Sequence, residues 1–168
     1  MKTLFRWRTK RHVTPDADLL ARAMRRAAEL ARLPDGDWIL SVDFVNDQAM
    51  RVANRDLVGH VGTTDVITFN YFEADAPVLP DEIAVELIVC TDVARREGAK
   101  RPTGYAYELM LYLVHGLLHS AGEDDLTKKA AESMRRREAE CLTALAAEFD
   151  FRAIFPELAT PMTRHDNI

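Results

Sequence analysis

The chain has 168 residues, of which 48% are hydrophobic and 29% charged, a composition typical of one ordinary globular domain. Its 22 basic and 27 acidic residues give a net charge of −5, which excludes a chain that wraps nucleic acid by bulk positive charge, so any RNA contact must be local. No stretch approaches the roughly 20 apolar residues of a membrane span, and the basic N-terminus lacks the apolar core of a signal peptide. We therefore expect a cytoplasmic protein without a membrane partner.

Hydrophobic periodicity predicts strands in the middle of the chain and helices gathered towards its end. The predicted elements, in chain order, are a helix capped at Thr14 and running through Ala31, a strand over 38–45, a helix over 46–56, strands over 65–71 and 82–90, and helices over 91–99, 103–121 and 127–149. This order predicts an α+β fold in which helices pack on a small mixed sheet. We expect one domain over residues 1–155 and a loosely packed tail over 156–168.

The motif most indicative of a functional site lies at the end of the predicted helix over 103–121. His115 and His119 are four residues apart, which places both imidazoles on one helix face, roughly 6 Å apart along the axis. Gly122 favours a left-handed turn that ends the helix and returns the chain, so that Asp125 becomes a third ligand. The pattern HxxxHxxGxxD has the spacing of the metzincin zinc site, with the third histidine replaced by a carboxylate. It predicts one divalent ion, Zn²⁺ or another, held by His115, His119 and Asp125.

Alternatives to this interpretation exist at each position. Two histidines at helical spacing are often only polar groups at a helix end, and Glu123 and Asp124 are alternative carboxylates without the register of Asp125. Zinc peptidases of this spacing carry a Glu as general base directly after the first His, whereas this chain has Gly116. Ordinary peptidase chemistry is therefore disfavoured, although a metal site could still activate water.

Two blocks of the sequence resemble the YbeY family of rRNA maturation endoribonucleases. Residues 115–125 follow the family signature His-Gly-x-Leu-His-x-x-Gly-x-Asp-His up to its last position, where Asp125 replaces the third metal-binding histidine. Residues 54–69, which end in Thr-Asp-Val-Ile-Thr-Phe, resemble a second family block. The helix with Met134, Glu138 and Leu142 also agrees, and the resemblance covers residues 14–148.

The resemblance implies a metal-dependent endoribonuclease that matures the 3′ end of small-subunit rRNA and associates with the small ribosomal subunit. It also implies that Arg55 acts in the catalytic cleft, where a guanidinium can bind a scissile phosphate. Asp65 is expected either to orient a ligand or to cap a turn, and His60 either to approach the metal or to face solvent. Two rival functions remain open at this point. One is a metal-dependent peptidase or other hydrolase, and the other is a non-catalytic ribosome-associated protein in which a metal only stabilises the helix end.

Overall fold

The computed structural model describes residues 1–74 and 76–158. The elements are strand β1 (Lys2–Trp7), helix α1 (Ala17–Leu30), strand β2 (Ile39–Val45), helix α2 (Asp47–Ala53) continued by a π-helical turn (Asn54–Val58), strand β3 (Val66–Asn70), a 3₁₀ turn (Tyr71–Glu73), strand β4 (Ile83–Cys90), and helices α3 (Thr91–Ala99), α4 (Gly104–Ser120), α5 (Lys128–Glu148) and α6 (Phe151–Ile154). The predicted α+β class is confirmed. No helix in these two ranges is long and apolar enough to cross a membrane.

The four strands form one mixed sheet in the order β1-β2-β4-β3. Strands β1, β2 and β4 are mutually parallel, and β3 pairs antiparallel with β4. The sheet therefore has β1 at one edge and β3 at the other. This second edge matters for function, because β3 lies beside the C-terminal half of α4.

Strand β1 is absent from the sequence prediction, which begins with a helix. Its first four residues, Lys2 to Phe5, alternate between exposed and partly buried positions, as in an edge strand with one solvated face, and the last two are partly buried. Its pairing partner is β2, with Lys2 opposite Ile39 and Trp7 opposite Phe44. A short basic segment gives little strand signal by itself, because its stability comes from a partner more than thirty residues away in the sequence.

Several predicted helix ends differ from those observed. Helix α1 is capped by Asp16, whose side chain accepts a hydrogen bond from the Leu19 amide, and not by Thr14. The predicted cap Thr103 has helical backbone angles and makes no capping hydrogen bond, whereas Thr127 caps α5 as predicted. Helix α6 lies in a segment with no predicted element. The proposed division into a domain over 1–155 and a tail over 156–168 stays a prediction, and residues 159–168 lie outside the described ranges.

Helix α4 is the central helix of the core. Buried side chains cover most of its circumference, including Leu109, Met110, Leu113 and Leu117, each 0% exposed. It contacts α3, α5, β3 and β4. A helix surrounded in this way has little freedom to shift, so side chains at its C-terminal end are held in fixed positions.

The approach of α4 to the sheet is closest at Gly116. A Cβ atom at this position would lie 2.6 Å from Leu87 Cδ2 and 3.1 Å from Thr68 Oγ1, which is closer than normal packing permits. Glycine therefore allows α4 to pack on the sheet without displacement of the Leu87 side chain. The same contact brings the face of α4 that carries the two histidines alongside strand β3.

Candidate metal centre

His115 and His119 lie in the last two turns of α4, as their spacing predicts. Their ring centroids are 4.5 Å apart and the rings are nearly perpendicular, at 82°. The side chains are 25% and 30% exposed, so each imidazole has a packed side and an open side. In this arrangement one nitrogen of each ring can bind the same metal ion.

The turn after α4 brings Asp125 to the two histidines. Gly122 has a φ of +100°, in the left-handed region that favours glycine. Its amide donates to the His119 carbonyl over 3.0 Å, and the Glu123 amide donates to the Leu118 carbonyl over the same distance, which reverses the chain. As a result Asp125 Oδ1 lies 3.9 Å from His119 Nε2.

The three predicted ligands form a compact group. One ligand atom from each of His115, His119 and Asp125 lies within 4.8 Å of the other two. Donors bound to one tetrahedral zinc ion at about 2.1 Å lie about 3.4 Å apart, so a small inward movement of the exposed Asp125 would complete the set. Asp124 instead accepts a hydrogen bond from the Leu126 amide over 3.1 Å within the turn. Two imidazoles and one carboxylate fit a divalent metal and leave a fourth position for water or substrate.

A fourth residue, Glu138, contacts the group from α5. Its Oε1 atom lies 2.6 Å from His115 Nδ1, and its side chain is 14% exposed. Glu138 belongs to the helix that resembles the family, but the sequence alone predicts no role for it. A signal is nevertheless present, because Glu138 lies one turn from the buried Met134 and one turn from the buried Leu142, on the apolar face of its helix.

The surroundings of His115 alter its acidity. Burial lowers the pKa of His115, but the hydrogen bond that Glu138 accepts from it and the negative charges of Glu138, Asp65 and Asp125 outweigh burial. The pKa of His115 in the metal-free protein is therefore above its usual value. Protonated imidazole cannot bind a metal, so a proton and a metal ion compete for this side chain.

This competition predicts a pH dependence of metal affinity. As the pH falls through the raised pKa of His115, zinc affinity should weaken about tenfold per pH unit for each imidazole that becomes protonated. The loss should begin at a higher pH than for an ordinary histidine. Competition titration with a zinc chelator from neutral to mildly acidic pH measures the zinc affinity. Circular dichroism at each pH shows that the fold persists. An affinity that stays constant over this range would contradict the assignment of His115 as a ligand.

The histidines open into a cavity of about 650 Å³. One wall is formed by strand β3 and another by the segment that follows α2. The lining residues are Asn54, Leu57, Val58, His60, Thr64, Asp65, Val66, Ile67, Thr68, Phe69, Asn70, Glu73, His115 and His119. Such a volume is within the usual range for sites that bind small molecules.

Two residues with open roles are part of this lining. His60 faces the cavity, although it is absent from the compact metal-binding group. Asp65 Oδ1 accepts a hydrogen bond from the Val66 amide over 2.7 Å, so Asp65 caps the start of β3. It also lines the cavity, and its charge reaches His115. Both roles predicted for Asp65 are thus compatible with its position.

Arg55 lies on the π-helical turn beside the cavity. Its neighbours Asn54, Leu57 and Val58 line the cavity, whereas Arg55 and Asp125 are not among the lining residues. The Arg55 guanidinium donates to Asp56 over 2.7 Å, and the two side chains are 67% and 53% exposed. A surface ion pair of this kind is weak, so the guanidinium can exchange its partner. The catalytic role of Arg55 stays a prediction.

Comparisons with known proteins agree on one family. The family model described as Endoribonuclease YbeY matches residues 7–146. Among curated proteins, Endoribonuclease YbeY of Herminiimonas arsenicoxydans is 32% identical over 108 residues, 63% of this chain and 69% of that protein. The Endoribonuclease YbeY of Chlorobium phaeobacteroides is 31% identical over 140 residues, which cover 83% of this chain and 94% of that protein.

A solved structure supports the fold independently. The solution structure of a Thermotoga maritima protein superposes with a TM-score of 0.59 at 21% sequence identity, covering 87% of this chain and 90% of that one. This similarity concerns the fold alone. Because the family model spans most of the sequence and curated members align over comparable lengths, the chain belongs to the YbeY endoribonuclease family.

Proposed function

We propose that this protein is a metal-dependent endoribonuclease that cleaves single-stranded RNA. The observation that carries the proposal is the compact group of His115, His119 and Asp125 beside a cavity of about 650 Å³, in a chain of the YbeY family. We further propose that its substrate is ribosomal RNA, processed at the 3′ end of the small-subunit RNA. The small ribosomal subunit would be its partner and the cytoplasm its location.

We assign His115, His119 and Asp125 as the ligands of a single Zn²⁺ ion, with other divalent metals as alternatives. When bound, such an ion acts as a Lewis acid and lowers the pKa of a water molecule in its open coordination position. The three side chains would hold this ion beside the cavity, whose lining includes His115 and His119. In this proposal the Thr68 side chain, which lines the cavity, helps to orient the sugar-phosphate chain.

In this proposal Arg55 binds the phosphate at the rim of the cavity. Its exposed pair with Asp56 can be exchanged for a bidentate contact with phosphate oxygens, where charge develops during cleavage. Charge-assisted hydrogen bonds contribute about 1.5–3 kcal/mol. This corresponds to a rate loss of roughly tenfold to a hundredfold when the contact is removed.

A cleavage assay with a labelled single-stranded RNA tests both parts of the proposal. Zinc-loaded wild type should cut it, chelation should stop the reaction, and Arg55→Ala should be roughly tenfold to a hundredfold slower. Arg51→Ala is the matched control, because Arg51 is an exposed arginine one turn earlier. Its rate should equal that of wild type. Equal rates for Arg55→Ala and wild type would remove Arg55 from the mechanism, and no cleavage by metal-loaded wild type would contradict the endoribonuclease function.

A metal-dependent peptidase is the second candidate, and one observation favours it. Strand β3 is at the edge of the sheet and lines the cavity, and extended peptides add to such edges through backbone hydrogen bonds. Against it stands Gly116, at the position where zinc peptidases of this spacing hold their general base. Cleavage of a labelled peptide, but not of the RNA, under the same conditions would select this function. Metal binding without either activity would select a non-catalytic ribosome-associated protein.

A further inference from the structure

We propose that Glu138 is a positioning residue that fixes the tautomer and ring orientation of His115, so that Nε2 of His115 faces the metal. This inference rests on the metal centre assigned under the proposed function. It adds to that centre a residue from another helix, 23 positions further along the chain. Its physical basis is the chemistry of the two imidazole nitrogens.

A neutral imidazole carries one proton, and either nitrogen can hold it. Ionised Glu138 only accepts hydrogen bonds, and its Oε1 lies 2.6 Å from His115 Nδ1. The proton is therefore favoured on Nδ1. The lone pair of Nε2 is then directed away from Glu138 and remains available to a metal ion.

The position of Glu138 on α5 indicates that the main role of its side chain is the hydrogen bond with His115. Met134 and Leu142, one turn before and after it, are 1% and 2% exposed, and Leu145 is fully buried. A carboxylate on such a face loses much of its hydration, which is costly unless a partner replaces the water. In the described ranges, the hydrogen-bond partner of the Glu138 side chain is His115.

The orientation of the His115 ring determines which of its atoms faces the metal position. The His119 ring stands nearly perpendicular to the His115 ring, with centroids 4.5 Å apart. A 180° flip of the His115 ring would place Cδ2 where Nδ1 now lies and Cε1 where Nε2 now lies, so that no nitrogen lone pair would be directed towards the metal position. The bond to Glu138 opposes this flip, and residues with such a role typically raise metal affinity tenfold to about a hundredfold.

Three variants separate positioning from simple packing. Glu138→Met fills the same space with an apolar side chain that suits the helix but accepts no strong hydrogen bond. Glu138→Gln keeps a carbonyl oxygen that can accept from Nδ1. The matched control is Glu132→Met, which makes the same exchange at an exposed position of α5.

The first readout is the tautomer of His115 in the metal-free protein, from long-range ¹H–¹⁵N NMR spectra recorded at a pH where the imidazole is neutral. Wild type, Glu138→Gln and Glu132→Met should hold the proton on Nδ1, and Glu138→Met should shift it towards Nε2. The second readout is the zinc dissociation constant from chelator competition. It should rise about tenfold to a hundredfold in Glu138→Met, less in Glu138→Gln, and not in Glu132→Met.

A merely structural role predicts a different pattern. In that case Glu138→Met would change the melting temperature while the tautomer and the zinc dissociation constant stayed at wild-type values, and the proposal would be overturned. The inference and the endoribonuclease function fail separately, because neither readout uses RNA. Loss of zinc affinity in Glu138→Met, in a protein that cleaves no RNA, would support positioning and contradict only the nuclease function.

Discussion

Replacement of His119 by Ala is expected to remove the bound metal and to lower RNA cleavage by about a thousandfold or more. His119 supplies one of three ligand atoms that lie within 4.8 Å of one another, and two remaining ligands hold zinc weakly. A bound metal contributes several kcal/mol of transition-state stabilisation, and each 1.36 kcal/mol corresponds to tenfold in rate. Elemental mass spectrometry and the RNA cleavage assay, performed on the same preparations, measure the two effects.

The third ligand can be tested with the same measurements. Asp125→Ala should lose metal and activity, whereas Asp125→His should retain metal, because imidazole can take the place of the carboxylate. Asp124→Ala is the matched control, since the adjacent Asp124 accepts a hydrogen bond from the Leu126 amide and lies outside the ligand group. Stoichiometric metal in Asp125→Ala would show that another group supplies the third ligand.

Replacement of Gly116 by Glu should destabilise the protein by at least about 4 kcal/mol and should not produce a peptidase. A Cβ atom at this position would lie 2.6 Å from Leu87 Cδ2, and Leu87 is fully buried. The variant thus combines overpacking with an unpaired carboxylate at the contact between α4 and the sheet. Chemical denaturation measures the change in the free energy of unfolding.

Gly116→Ala serves as the graded comparison. It adds only the Cβ atom, and the end of the Leu87 side chain can move to accommodate it, so its loss of stability should be clearly smaller, about 1–3 kcal/mol. If Gly116→Glu were as stable as wild type, α4 would not approach the sheet as closely as described. The physical argument against a peptidase-type base at this position would then fail.

Local sequence patterns predict much of the fold because most elements carry their own signal. The helices over 103–121 and 127–149 and the strands over 38–45 and 82–90 are recognisable from periodicity, and each corresponds to an observed element within a few residues. Strand β1 has no such local signal, because its stability derives from pairing with β2. The π-helical turn after α2 likewise depends on its surroundings, since it continues a helix that periodicity alone predicts to be regular.

The same distinction explains what could be predicted of the site. His115, His119 and Asp125 belong to one helix end and the turn that follows, so helical spacing and the conformation of Gly122 suffice to bring them together. Glu138 reaches His115 only through the packing of α5 on α4, which no spacing rule contains. The advantage of glycine at position 116 also becomes clear only when the helix lies on the sheet.

The most direct test of the metal centre is a crystal structure of the zinc-loaded protein with anomalous data collected at the zinc edge. We expect one strong peak within about 2.0–2.2 Å of His115 Nε2, His119 Nε2 and an oxygen of Asp125. His115 Nδ1 should remain bonded to Glu138. A zinc peak on other residues, or none near His115 and His119 in protein that binds zinc stoichiometrically in solution, would contradict the proposed centre.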